Sequence, residues 1–105
     1  MPEHEQHRTF KAAIEQVREA ARDALLSLGS EVEESDDGNV LSGKTGFTVF
    51  SFGENVEITL DPEGDTTAVT VRSSQRARIA LMDLGSRNRK NVGTVLTAMA
   101  SRLGT

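Results

Sequence analysis

Hydrophobic residues recur at helical spacing near both ends of this chain and at every second position through its middle, and that change of period organises the molecule. Phe10, Ile14, Val17, Ala21, Ala24 and Leu28 follow one another at intervals of three and four, with Ala13, Ala20 and Leu25 widening the stripe. The spacing predicts an amphipathic helix whose free amides are capped by Thr9 and which stops at Gly29. Val92, Val95, Leu96, Met99 and Leu103 form a second stripe. It predicts a C-terminal helix capped by Ser86 or Asn88, running to about Arg102 before Gly104 ends it.

Between the stripes the period falls to two. Val56, Ile58 and Leu60 alternate with Glu57 and Thr59, and Thr67, Val69 and Val71 repeat the pattern, as half-buried antiparallel strands do. Phe47 to Phe52 places Phe47 and Val49 on one face and Phe50 and Phe52 on the other. Such a strand is either central or offers Phe50 and Phe52 to a partner. Ala77, Ile79 and Leu81 predict an extended last strand after a bend at Ser73-Ser74-Gln75. Val32, in the acidic run Glu31 to Asp37, reads as a short edge, and Val40 and Leu41 as a weak strand. Asp37-Gly38-Asn39, Gly43 to Gly46, Gly53-Glu54-Asn55 and Asp61 to Asp65 carry turn residues. Residues 1–8 show no period and read as a disordered tail before a single domain at 9–105.

The predicted fold is α+β: helix, antiparallel meander of four or five strands, helix, with both helices on one face of the sheet. Its expected core is Phe10, Ile14, Val17, Leu25, Leu28, Val56, Ile58, Leu60, Val69, Val71, Val92, Leu96, Met99 and Leu103.

Composition narrows the function classes. At 105 residues, 36% hydrophobic and 27% charged, the chain suits one globular domain, and no apolar run is long enough for a membrane span. The polar start, Met1 to His7, lacks the basic and apolar parts of a signal peptide, which predicts a cytoplasmic protein. The absence of cysteine removes disulfides and thiolate chemistry. The net charge of −4 is uneven: Arg72 to Lys90 holds six cations against Asp83, and the remainder carries an excess of nine negative charges.

No catalytic constellation emerges, so the expectation is a protein that is not an enzyme, with no cofactor and no metal. His4 and His7 lie in the expected tail, where two imidazoles make a poor metal site. The acidic run lacks the ligand ladder and terminal bidentate glutamate of a calcium loop. Gly38 to Thr45 matches the phosphate-loop string Gly-x-x-x-x-Gly-Lys-Thr, but acidic residues precede it and a strand pattern follows, where that loop needs a buried strand and a helix. The cluster with chemical content is Arg87, Arg89 and Lys90 in the first turn of the second helix, with Arg76 and Arg78 as neighbours. Cations oppose the helix macrodipole there, and an anion reverses the sign. The acidic balance and the lack of interleaved aromatics argue against nucleic acid. The leading expectation is a non-enzymatic binding or interaction domain for a protein partner or a small anion, through Phe50 and Phe52 or the basic cluster. The alternative is a small ligand carrier or enzyme with its pocket between helices and sheet. Oligomeric state stays open.

Asp83-Leu84-Gly85 and Asn88-Arg89-Lys90-Asn91-Val92, in the last third of the chain, resemble the end of small bacterial domains of unknown function that carry an Asp-Leu-Gly, Asn-Arg segment before a final helix. That resemblance implies no activity. The order helix, meander, helix also resembles one half of a TATA-binding-protein-like fold lacking its first strand, an architectural analogy.

Overall fold

The computed structural model describes residues 3–28, 31–44, 54–75 and 86–104. In chain order they form β1 (Glu3–Phe10), α1 (Ile14–Ser27), β2 (Val32–Glu34), β3 (Val40–Lys44), β4 (Glu54–Glu63), β5 (Thr66–Gln75) and α2 (Ser86–Leu103). The five strands make one antiparallel sheet in the order β1-β5-β4-β3-β2. Helix α1 carries the chain from β1 at one edge to β2 at the other, and the meander β2 to β5 walks back.

Both helices pack on each other and on the same face of the sheet, α1 over β4 and β3, α2 over β5 and β1. Strand alternation fixes which face that is. Leu41, Val56, Ile58, Leu60, Val69 and Val71 are buried beneath the helices, while Glu57 and Arg72 between them are exposed. The helices contribute Val17, Leu25, Val92, Val95 and Met99 to the same layer. Ala20, Ala21 and Ala24 are buried on α1 as well. Their small side chains let a neighbouring backbone approach closely.

The expected disordered tail is corrected: residues 3–10 form edge strand β1, in continuous register with β5 from Glu3↔Ser74 to Phe10↔Thr67. An edge strand is held by main-chain bonds, so it forms here with a single apolar residue, Phe10. Its charged side chains suit a sheet edge that must not recruit other strands. His7 Nδ1 and the Thr70 hydroxyl are 2.8 Å apart across the pair. Arg8 stacks its guanidinium 5.0 Å from the centre of the Phe10 ring.

The start of α1 is corrected with it. Thr9 and Phe10 belong to the strand, and the helix begins after Ala13, without a side-chain cap. Thr67 ties the junction instead, donating its hydroxyl to the Ala12 carbonyl at 3.0 Å. Glu54 and Asn55, expected in a turn, lie in β4, and Ser73-Ser74-Gln75, expected to bend the chain, continue β5. Pro62 is tolerated inside β4 because β3 pairing ends at Val40↔Thr59, leaving that side of β4 without a ladder partner. The expected strands at Phe47 to Phe52 and Ala77 to Leu81 lie outside the described residues.

The turn between β2 and β3 is built as its composition predicts. Gly38 has φ of 73°. Asp37 Oδ1 accepts hydrogen bonds from the Ser35 hydroxyl at 2.6 Å and the Asn39 amide at 2.9 Å. Those two donors, the hydroxyl foremost, hold the Asp37 carboxyl below its usual range. Its contribution is therefore present above the unfolded-state pKa and fades as pH falls through the folded one. Arg18 fastens the turn to α1, donating to the Gly38 carbonyl at 2.8 Å and to Asn39 Oδ1 at 3.2 Å.

A Cβ at position 38 would lie 2.7 Å from Arg18 Nε. Gly38→Ala is thus expected to lose about 1–2 kcal/mol from the left-handed backbone alone, and more as Arg18 swings away. Urea melts check this, and a loss indistinguishable from zero removes the turn from the stabilising set.

Candidate functional site

The inner face of the sheet changes character at the end where β4 begins and α2 starts. Glu54 has the same strand parity as Val56, Ile58 and Leu60, and its side chain is turned inward with residue exposure of 3%. Ser73 continues the parity of Val69 and Val71 and is fully buried. Asn91 sits one residue before buried Val92 and one helical turn before Val95. It joins the two layers: Asn91 Nδ2 donates to Glu54 Oε1 at 3.0 Å and to the Ser73 hydroxyl oxygen at 3.2 Å. One carboxamide nitrogen has two hydrogens, so both bonds form together.

His4 completes the group. It is the register partner of Ser73, and directly opposed residues of an antiparallel pair project to the same face with Cβ atoms about 5 Å apart. Its Nε2 is buried and has no hydrogen-bond partner. A buried polar atom without a partner is an exception in folded proteins and calls for a specific explanation.

The outer face is open and polar. Glu5, Arg72, Glu57, Ser42 and Glu33 stand in one cross-strand row. Beside it lies a groove of about 460 Å³ lined by Glu31, Glu33, Glu57, Ser42, Lys44 and Asn55. The groove sets three carboxylates against one lysine.

The residues singled out from sequence separate in space. Arg87, Arg89 and Lys90 fall in the first turn of α2, which contains no acid. Arg89 and Lys90 are exposed. The Arg87 side chain, Arg76, Arg78, Phe50 and Phe52 lie outside the described residues. His4 and His7 are three apart on a strand, so they point to opposite faces and do not converge on one ion. The phosphate-loop string is spent on a turn and strand β3, with no helix in Val40 to Lys44. Within the acidic run, Glu34 pairs with Arg22 at 2.7 Å. Sequence reasoning marks none of His4, Glu54, Ser73 and Asn91 as a site. The available signal is parity: Glu54 and Ser73 interrupt buried apolar alternations with polar side chains.

A family model described as a protein of unknown function, DUF1499, matches residues 2–99. The chain belongs to the DUF1499 family. The expected resemblance to small bacterial domains of unknown function is thereby given its family. A comparison with curated proteins finds no match. Among solved structures, this DUF1499 domain is similar to the Aha1 dimer from Colwellia psychrerythraea, with 15% identity, a TM-score of 0.66 and 96% of each chain covered. It is also similar to an 18 kDa protein from Caulobacter crescentus, with 18% identity, a TM-score of 0.60 and coverage of 98% of this chain and 96% of that one. A third is a protein from Thermus thermophilus, with 17% identity, a TM-score of 0.54 and 97% of each chain covered. At these identities the likeness is one of fold. No helix among the described residues of the DUF1499 domain is long and apolar enough to cross a membrane.

Proposed function

We propose that this domain binds a small molecule, without catalysing its conversion, at the end of the helix–sheet interlayer where α2 starts. The observation that carries the reading is the group of buried Glu54 and Ser73 with half-buried Asn91 and His4, the buried His4 Nε2 being unpartnered beside an otherwise apolar layer. Convergent polar groups at one end of an apolar interlayer are what orient a ligand. The Ser73 hydroxyl oxygen accepts a hydrogen bond from Asn91, which sets it among the groups that would orient a ligand.

A second reading is recognition of an anion at the surface, and it is favoured by the exposed Arg89 and Lys90 in an acid-free first turn. Each such cation shifts the local balance by about 1 kcal/mol or less, and salt screens it.

A thermal-shift screen of small polar fragments, with hits mapped by amide chemical shifts, tests the proposal. A ligand present at a hundred times its Kd adds about 2.7 kcal/mol, which for a domain of this size raises Tm by on the order of 10 °C. Hits are expected to move the amides of His4, Ser73 and Asn91. Hits that map only to the outer groove, or only to Arg89 and Lys90, reject the interlayer site.

A further inference from the structure

We propose that Asp37–Gly38 is a site of spontaneous covalent modification, where the aspartyl bond rearranges to isoaspartate, and that the turn between β2 and β3 holds the reaction back until it opens.

The sequence places the reacting pair. An aspartyl carboxyl can be attacked by the main-chain nitrogen of the next residue, closing a five-membered ring, and a side chain on that residue obstructs the approach. Glycine has none. Asp37–Gly38 is the chain's one Asp-Gly step, and no asparagine in the chain precedes a glycine. Asp37 is exposed, so water reaches it. In the first step the Gly38 nitrogen gives up its proton and bonds to Cγ of the protonated Asp37 carboxyl, while the bond from Cγ to the hydroxyl breaks with loss of water. The product is a succinimide. In the second step water adds to one of the two ring carbonyls. Attack at Cγ restores aspartate, whereas attack at the former main-chain carbonyl makes that carbon the new carboxyl and leaves Gly38 joined through Cγ. The water lost is regained, nothing is oxidised or reduced, and the main chain is longer by one methylene.

The folded turn opposes each requirement. The Gly38 N–H donates to the Ser35 carbonyl at 2.9 Å, so the proton that has to leave is engaged. Asp37 Oδ1 accepts from the Ser35 hydroxyl at 2.6 Å and from the Asn39 amide at 2.9 Å, which aims the carboxylate past Gly38. The same donors, the hydroxyl foremost, favour the ionised carboxyl, and that form has no hydroxyl to lose. Arg18 pins the other side of the pair, donating to the Gly38 carbonyl at 2.8 Å and to Asn39 Oδ1 at 3.2 Å. Ring closure needs rotation of the Asp37 main chain, which breaks these bonds together. The reaction therefore passes through the opened turn, and its rate follows the population of that form. An added methylene also shifts the Gly38 carbonyl away from Arg18, so the product loses the fastening of the turn to α1.

The test incubates the full chain at neutral pH, folded or in guanidinium chloride above its unfolding midpoint, and then digests it with trypsin. Isoaspartate appears in the peptide Asp23–Lys44 as a second chromatographic peak of equal mass, and fragmentation locates the altered residue. Isoaspartate at Asp37 is expected to accumulate in denaturant, and to do so roughly tenfold or more slowly in the folded chain. Gly38→Ala is expected to suppress it in denaturant, where its effect on folding does not enter. Ser35→Ala removes a donor to the carboxylate, and Arg18→Ala removes the clamp without touching the reacting groups. Each is expected to raise the rate in the folded chain and leave the rate in denaturant unchanged. Equal rates in folded and denatured chains overturn the gate. Isoaspartate at Asp23 or Asp36 in preference to Asp37 overturns the site, and parental folded-state rates in both Ser35→Ala and Arg18→Ala overturn the assignment of the gate to these hydrogen bonds.

Discussion

Phe10→Ala is expected to reduce the unfolding free energy by about 3–5 kcal/mol, the range for deleting a buried aromatic side chain. Phe10 is 1% exposed and is the largest fully buried side chain among the described residues. It ends β1 and precedes the link to α1, and it sits opposite Thr67, whose hydroxyl holds the Ala12 carbonyl. Removing the ring therefore opens a void where strand, connection and helix meet, and it takes away the surface on which Arg8 stacks. For a domain whose whole stability is about 5–15 kcal/mol, this substitution removes a large share. Guanidinium melts measure it, with Arg8→Ala as a control expected to lose about 1 kcal/mol or less. A Phe10→Ala loss no greater than that control places the ring outside the core.

Ile58→Ala is expected to lose about 2–5 kcal/mol. Ile58 is fully buried on β4, flanked in register by Leu41 on β3 and Val71 on β5, both fully buried. Neighbours paired on both sides and helices above leave little freedom to collapse into the space vacated. The upper part of the range is therefore the expected result. A loss under about half a kcal/mol, the scatter of ordinary surface substitutions, would remove Ile58 from the centre of the sheet.

The middle of the molecule is legible in the sequence because burial and period coincide there. Val56, Ile58, Leu60, Val69 and Val71 alternate, are buried, and sit where the alternation puts them. Val17, Leu25, Val92, Leu96 and Met99 are equally readable from helical spacing, while Ile14, Leu28 and Leu103 end up only partly buried at the rims. Strand β1 is illegible for the opposite reason. Glu3 to Thr9 offers no apolar side chain to mark a face, and its stability comes from main-chain pairing, which leaves no trace in side-chain chemistry. Phe10 is right as a core residue and wrong as a helical one, since one apolar position fits either period.

The candidate site is hidden by a related effect. Glu54 follows a glycine and precedes an asparagine, so composition assigns it to a turn, although its parity with Val56 places it inward. Ser73 looks like a bend for the same reason. Arg87, Arg89 and Lys90 stand out instead, because concentrated charge is visible in a sequence. A single buried carboxylate shared with an asparagine thirty-seven residues away is not visible.

The route by which α1 spans the sheet has a kinetic consequence. Strands β2 to β5 follow one another in the meander, whereas β1 joins β5 across a separation of 63 residues at His7 and Thr70. Local pairings form before contacts that must close a long loop, so β1 is expected to dock late, onto a sheet already folded. Interactions made after the rate-limiting step alter unfolding and spare folding. Phe10→Ala should then speed unfolding in a chevron plot and leave the refolding limb nearly in place, whereas Ile58→Ala should slow refolding. If Phe10→Ala slows refolding as strongly, β1 and β5 pair early, and the first strand is part of the nucleus.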